Sequence, residues 1–212
     1  MKIIPLFSVV AALSLVFVAG CATTERNMPP IPTALAACTL PPLVFRAPVE
    51  IAPAEQSVEK VVVRAELDSA SSIVERAWDK SLAGDREGTI ALFNLAASHP
   101  RSNLTVDRIL WSYGWAMFNL RDYPCALSRF EEARQAAPNQ DSWVPQTLAI
   151  TYWQMGQHDI AATWYDVAAK GAPACWSSAK AAESCTRHWL KSERRALGEL
   201  VTYWKAKRYS DQ

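Results

Sequence analysis

Five residues of this chain return at a fixed offset. Gly114, Ala126, Phe130, Ala133 and Pro138 recur 35 residues later as Ala149, Ala161, Tyr165, Ala168 and Pro173, with internal spacings of 12, 4, 3 and 5 preserved. A repeat of this length is one supersecondary unit that must stack on its neighbours to bury its apolar face. The residue types suit a pair of crossed helices. Ala or Gly lets two axes approach closely, an aromatic fills the adjoining gap, and Pro stops the second helix. Ala77, Gly84, Phe93 and Ala96 form an earlier copy, offset by 37 from Gly114, Arg121, Phe130 and Ala133, with Thr89 at a position where the later copies carry Ala. The chain is therefore expected to be all-α and built from stacked hairpins.

The stretches "LRDYPCALSRFEEARQAAP" and "MGQHDIAATWYDVAAKGAP" resemble the second half of the tetratricopeptide repeat. The resemblance covers about residues 70–174 and implies a short right-handed solenoid of about three helical hairpins, here placed over 68–174. Residues 175–212 lack the repeat spacings and are read as a capping helix region. Trp189, Leu190, Leu197, Leu200, Val201 and Trp204 fall at helical spacing there, suited to hiding the last apolar face of an array. Punctuation agrees with this layout. Asp141 or Ser142 can cap a helix with Pro145 in its first turn, Pro124 can open another, and Gly171 can close a third.

The N-terminus reads as a leader. Ile3 to Val18 is apolar apart from Ser8 and Ser14, contains Pro5 and follows Lys2. That is short for a spanning helix, which wants about 20 apolar residues, and suits a secretory core. It ends in Val18-Ala19-Gly20-Cys21, which resembles the bacterial lipobox. The resemblance implies that residues 1–20 are removed, that Cys21 carries a covalent lipid, and that the chain is anchored stably. Ala22, in place of Asp, implies the outer membrane, facing the periplasm, under the enterobacterial sorting rule. From Ala22 to Leu67 there are seven prolines and no glycine. This composition favours extended backbone over a compact core, so residues 21–67 are read as the lipidated N-terminus and a disordered tether. "VEKVVVRAEL" (58–67) leaves a strand or a first helical turn open.

Lys+Arg total 22 and Asp+Glu 21, so no global charge points to nucleic acid. An exported chain can oxidise its thiols. Cys38, Cys125, Cys175 and Cys185 allow three complete pairings, with free buried thiols as the alternative. Cys175 and Cys185 are closest in sequence. In one continuous helix they would be ~15 Å apart, so a bridge requires a break between them.

No enzyme constellation emerges. His99, His158 and His188 are widely separated, and no zincin, nucleophile-elbow, phosphate-loop or CxxC pattern occurs. Neither a cofactor nor a metal site is expected beyond the lipid on Cys21. Nine tryptophans are the more informative feature. The repeat resemblance implies a concave groove lined by the first helix of each hairpin. With Gly114 as the eighth position of its motif, that places Arg108, Trp111, Trp115, Phe118 and Asn119 in the groove. The next motif adds Trp143, Gln146, Ile150, Trp153 and Gln154, and the earlier one Trp78. Trp111 and Trp115 also share one helical face by spacing alone. A second candidate surface is the basic stretch 187–208, with Arg187, Lys191, Arg194, Arg195, Lys205, Lys207 and Arg208.

The expected function is binding. The chain reads as a scaffold or pilotin-like assembly factor for protein partners of an envelope machine (secretion, pilus or conjugation), held to the membrane by its lipid. The alternative is a peptidoglycan-associated lipoprotein whose aromatic surface takes glycan strands. Replacing Trp111 and Trp115 with alanine is expected to abolish partner binding while leaving helicity intact.

Overall fold

The computed structural model describes residues 38–45, 69–99, 102–138 and 142–210. Among them there are nine helices and no strand, so the fold is all-α. Residues 1–20, read above as a leader, Cys21 and the 58–67 stretch lie outside the described residues. No helix among those described is long and apolar enough to cross a membrane.

Six helices form three consecutive pairs. α1 (Ala70–Leu82) packs on α2 (Arg86–Ala97), α3 (Val106–Asn119) on α4 (Tyr123–Ala136), and α5 (Val144–Gln154) on α6 (His158–Gly171). The pairs touch through α1 on α3 and α4 on α5. The same turn is built three times. Gly84, Arg121 and Gly156 each have positive φ. Each following N–H reaches back five residues: Asp85 to the Lys80 carbonyl, Asp122 to that of Met117, and Gln157 to that of Tyr152. This is a Schellman closure, which satisfies carbonyls left over at a helix end. In the first two pairs the next residue also starts the following helix, since Asp85 accepts from Gly88 N–H and Asp122 from Cys125 N–H. One short segment thus both ends a helix and begins its partner.

The repeated small and aromatic residues sit at the crossings. Ala126, Phe130, Ala133, Ala149, Ala161, Tyr165 and Ala168 are all buried. Gly114 has Phe130 directly against it, and Phe93 stacks on Tyr113 at 4.4 Å. Pro138 is an exposed residue just beyond α4, and Pro173 opens the next helix. The start of α5 differs from expectation. Its N-cap is Trp143, with no side-chain cap, and Ser142 plays no such part.

The C-terminal region is more than one capping helix. α7 (Pro173–Trp176) and α8 (Ala179–Cys185) precede α9 (Lys191–Ser210), which lies on α6 and α5. Leu197, Leu200, Val201 and Trp204 are its buried face. The break between α7 and α8 brings Cys175 and Cys185 into a disulfide with Cα atoms 5.6 Å apart. Three of the seven cations of the basic stretch are paired internally. Lys207 bonds Asp159, Arg195 pairs with Glu199, and Arg208 meets Asp166 while lying over the Trp204 ring.

The Pro-rich stretch needs a correction. Residues 38–45 are fastened to the folded domain, not free as a tether. Cys38 is disulfide-bonded to Cys125 on α4, and Leu40, Leu43 and Phe45 lie against the core. The Pro41 carbonyl accepts from Arg129. Arg129 is 1% exposed; it also pairs with Glu132 and lies 5.1 Å from the Tyr113 ring centroid. A buried guanidinium is tolerable only with partners of this kind.

Candidate tryptophan groove

The first helices of the three pairs present one face to a groove of about 930 Å³, within the ordinary range for ligand sites. α1 contributes Trp78, Glu75 and Asp79; α3 contributes Trp111, Ser112 and Trp115; α5 contributes Gln146 and Thr147, preceded by Trp143. Trp78, Trp111 and Trp143 come from three successive pairs, so residues far apart in sequence meet here. The C-terminal region adds the remaining wall through Trp176, His188, Trp189 and Glu193.

The indoles form a connected series. Trp143 meets Trp111 at 6.3 Å and 71°, Trp111 meets Trp115 at 6.3 Å and 78°, Trp115 meets Trp189 at 5.2 Å and 63°, and Trp189 meets Trp176 at 6.3 Å. These edge-on and tilted arrangements are the favourable ones for aromatic pairs. The Cys175–Cys185 bridge lies in the same wall and closes the loop that carries Trp176.

The polar groups of the groove are unusual. Trp111 Nε1, Trp115 Nε1, Gln146 Oε1 and Glu193 Oε1 are all buried and have no hydrogen-bond partner among the described residues. All four side chains line the groove. Leaving a buried donor or acceptor unmade costs about 1–3 kcal/mol each, and native structures contain few of them. Glu193 is 4% exposed. Its Oε2 accepts from Leu190 N–H at 2.7 Å, leaving Oε1 free. Burial pushes the Glu193 carboxyl above the ordinary carboxylate range, against the opposing effect of that hydrogen bond.

The remaining residues singled out from the sequence fall elsewhere. Arg108 is exposed in the first turn of α3. Asn119 donates to Ser81 Oγ at 3.4 Å, fastening α3 to α1. Trp153 stacks on His158 at 4.1 Å and tilts against Tyr203 of α9, and Gln154 accepts from the Tyr123 hydroxyl. None of these four lines the groove; Trp153 is drawn under α9, and Asn119 and Gln154 are taken by neighbouring helices. Phe118 and Ile150 are core residues. In exchange, Trp176, Trp189 and Glu193 belong to the groove although they lie in the region read only as a cap. The available signal was the chain break that a Cys175–Cys185 bridge requires, which places two tryptophans beside a covalently closed loop.

Trp115 has a double position. It is 5% exposed and packs on Phe118 and Phe130 as well as on its groove neighbours. Alanine there would open a cavity costing roughly 3–5 kcal/mol, so a Trp115→Ala variant does not isolate binding from stability.

The chain matches no protein-family model, and no curated protein or solved structure is significantly similar to it.

Proposed function

We propose that this chain is a tetratricopeptide-like lipoprotein of the bacterial cell envelope that holds an extended peptide segment of an envelope complex in its tryptophan groove. The carrying observation is the groove itself, with two unpartnered indole N–H donors and two unpartnered acceptors against an aromatic wall. An extended peptide offers carbonyls and N–H groups in alternation, and aromatic-lined grooves are a recurring solution for such ligands. Tryptophan is also a frequent interface anchor. The recurrent Schellman turn and the 35-residue spacing support the solenoid reading of the helix pairs. Two disulfides suit an oxidising compartment outside the cytoplasm. Lipidation of Cys21 would confine the domain near the outer membrane and raise the effective concentration of the groove for a partner there.

The test is recovery of partners from gently crosslinked cells with three forms of the full chain: wild type, Cys21→Ser, and Trp111→Ala combined with Gln146→Leu. Trp111 is only half-buried, so this groove variant avoids the core position at 115. Envelope-machine subunits lost from both variants support the reading. Undiminished recovery with the groove variant rejects the groove. Wall fragments without protein partners, together with sedimentation on purified peptidoglycan, would replace the reading by glycan binding.

A further inference from the structure

Charge in the groove is one-sided. Among the described residues its lining includes three carboxylates, Glu75, Asp79 and Glu193, and no lysine or arginine, with His188 as the one basic type. Glu75 and Asp79 are exposed, whereas Glu193 is buried with one oxygen unpaired. An exposed acidic rim is ordinary. A buried, unpaired carboxylate oxygen beside tryptophan rings is not, because desolvating such a group without a partner is unfavourable.

The capping role of Glu193 accounts for only half of the side chain. Glu193 stands three residues beyond Leu190 at the start of α9, where a glutamate returns to the preceding backbone N–H in a capping box. Oε2 does this. Glutamine serves that cap equally well by the same geometry, so the charge and the second oxygen remain to be explained.

We infer that the groove's occupant is an extended peptide carrying a lysine or arginine side chain, which Glu193 Oε1 receives against the tryptophan wall. This rests on the peptide-groove reading above and adds the chemistry of the anchor. A cation is attracted to the faces of indole rings, and it supplies the donor that Oε1 lacks. The exposed carboxylates of Glu75 and Asp79 raise the local concentration of such a ligand before docking. The free Trp111 and Trp115 N–H groups then bond carbonyls of the peptide, and Gln146 Oε1 bonds one of its N–H groups. A neutral glycan could stack on the same rings and donate hydroxyls to the carboxylates, but it carries no positive charge to pair with a buried carboxylate as a lysine or arginine does.

The experiment is selection of a random dodecapeptide library on the immobilised full-length oxidised protein. Three forms are compared: wild type, Glu193→Gln, and Trp111→Ala with Gln146→Leu. Circular dichroism checks that each form is folded. Enrichment of lysine or arginine at one position on wild type is expected. The peptide selected should bind Glu193→Gln about tenfold or more weakly, as loss of one well-placed charge partner requires. Enrichment of neutral or acidic peptides that the groove variant loses would overturn the cationic anchor and leave the peptide groove standing. Equal binding of a lysine peptide by Glu193→Gln would also overturn it. Absence of any enrichment over the groove variant would defeat the peptide reading as well, and binding of murein oligosaccharides in that case would put a glycan in its place.

Discussion

Gly114 of α3 lies so close to Phe130 of α4 that a Cβ on the glycine would stand 2.4 Å from Cε1 of the ring. The ring cannot retreat, because Phe130 is itself buried between Trp115 at 5.5 Å and Trp143 at 6.4 Å. Gly114→Ala should therefore destabilise the protein despite alanine's better helix propensity, worth about 1 kcal/mol. Overpacking of this kind costs about 1–3 kcal/mol, so a net loss of about 1 kcal/mol is expected. Gly198 in α9 has nothing within 4 Å of its own hypothetical Cβ, and Gly198→Ala should stabilise by about 0.5–1 kcal/mol. Urea unfolding of the two variants checks the pair. Equal effects at both positions would mean that the α3–α4 crossing is looser than described.

Arg121 stands at the position occupied by Gly84 and Gly156 in the other two turns, and has φ of 60°. Holding a side chain in the left-handed region costs roughly 1–2 kcal/mol, which glycine avoids in the folded state at some entropic cost in the unfolded one. Arg121→Gly is expected to stabilise by about 0.5–1 kcal/mol. Arg121→Ala should do little, since alanine keeps the Cβ. Thermal melts that rank Ala above Gly would show that the positive φ at 121 carries no such penalty.

These two positions also show what could be read from the sequence. The spacing of Gly114, Ala126, Phe130, Ala133 and Pro138 was legible because close crossing of two helices permits few residue types at those points. The repeat also aligned Gly84 with Arg121, but the positive φ they share was not legible, since an arginine gives no sign of a left-handed residue. Trp111, Trp115 and Gln146 lie on α3 and α5, and Trp143 caps α5; these are positions that the repeat resemblance implied for the groove. Trp153 went elsewhere because α9 folds back over the end of α5, and Gln154 because the Tyr123 hydroxyl of α4 holds it; both are long-range contacts that no local pattern encodes. The same holds for Trp176, Trp189 and Glu193, which reach the groove only through the chain reversal between α7 and α8. Docking of residues 38–45 depends on a disulfide between partners 87 positions apart, and four cysteines alone leave that pairing undecided.

The Cys38–Cys125 bond should matter to global stability. A crosslink enclosing a loop of that length removes unfolded-state entropy worth about 4.6 kcal/mol in the chain-entropy account. Its loss also frees the segment whose Pro41 carbonyl accepts from buried Arg129. Cys38→Ala is expected to lower the urea midpoint markedly under oxidising conditions. Dithiothreitol should bring wild type and variant together. A midpoint for Cys38→Ala equal to that of the oxidised wild type would show that the bond carries no stability.

Glu193 makes stability depend on pH with a definite sign. Burial raises its folded-state pKa above the unfolded value of 4.5. Between those two values the folded state binds more protons than the unfolded one. Its contribution is therefore fully present below about pH 4.5 and is lost as pH rises through the folded pKa. Glu193→Gln keeps the cap on Leu190 and cannot ionise, so its stability should lack this decline. The two proteins should melt alike at pH 4, and the variant should be the more stable at pH 8. The groove's other described titratable groups, Glu75, Asp79 and His188, are exposed, Lys191 beside it on α9 is exposed and Arg194 half-buried, and all are common to both proteins, so their effects cancel in the comparison. A difference that is constant from pH 4 to pH 8 would mean that Glu193 is already charged in the empty groove and that its free oxygen is solvated.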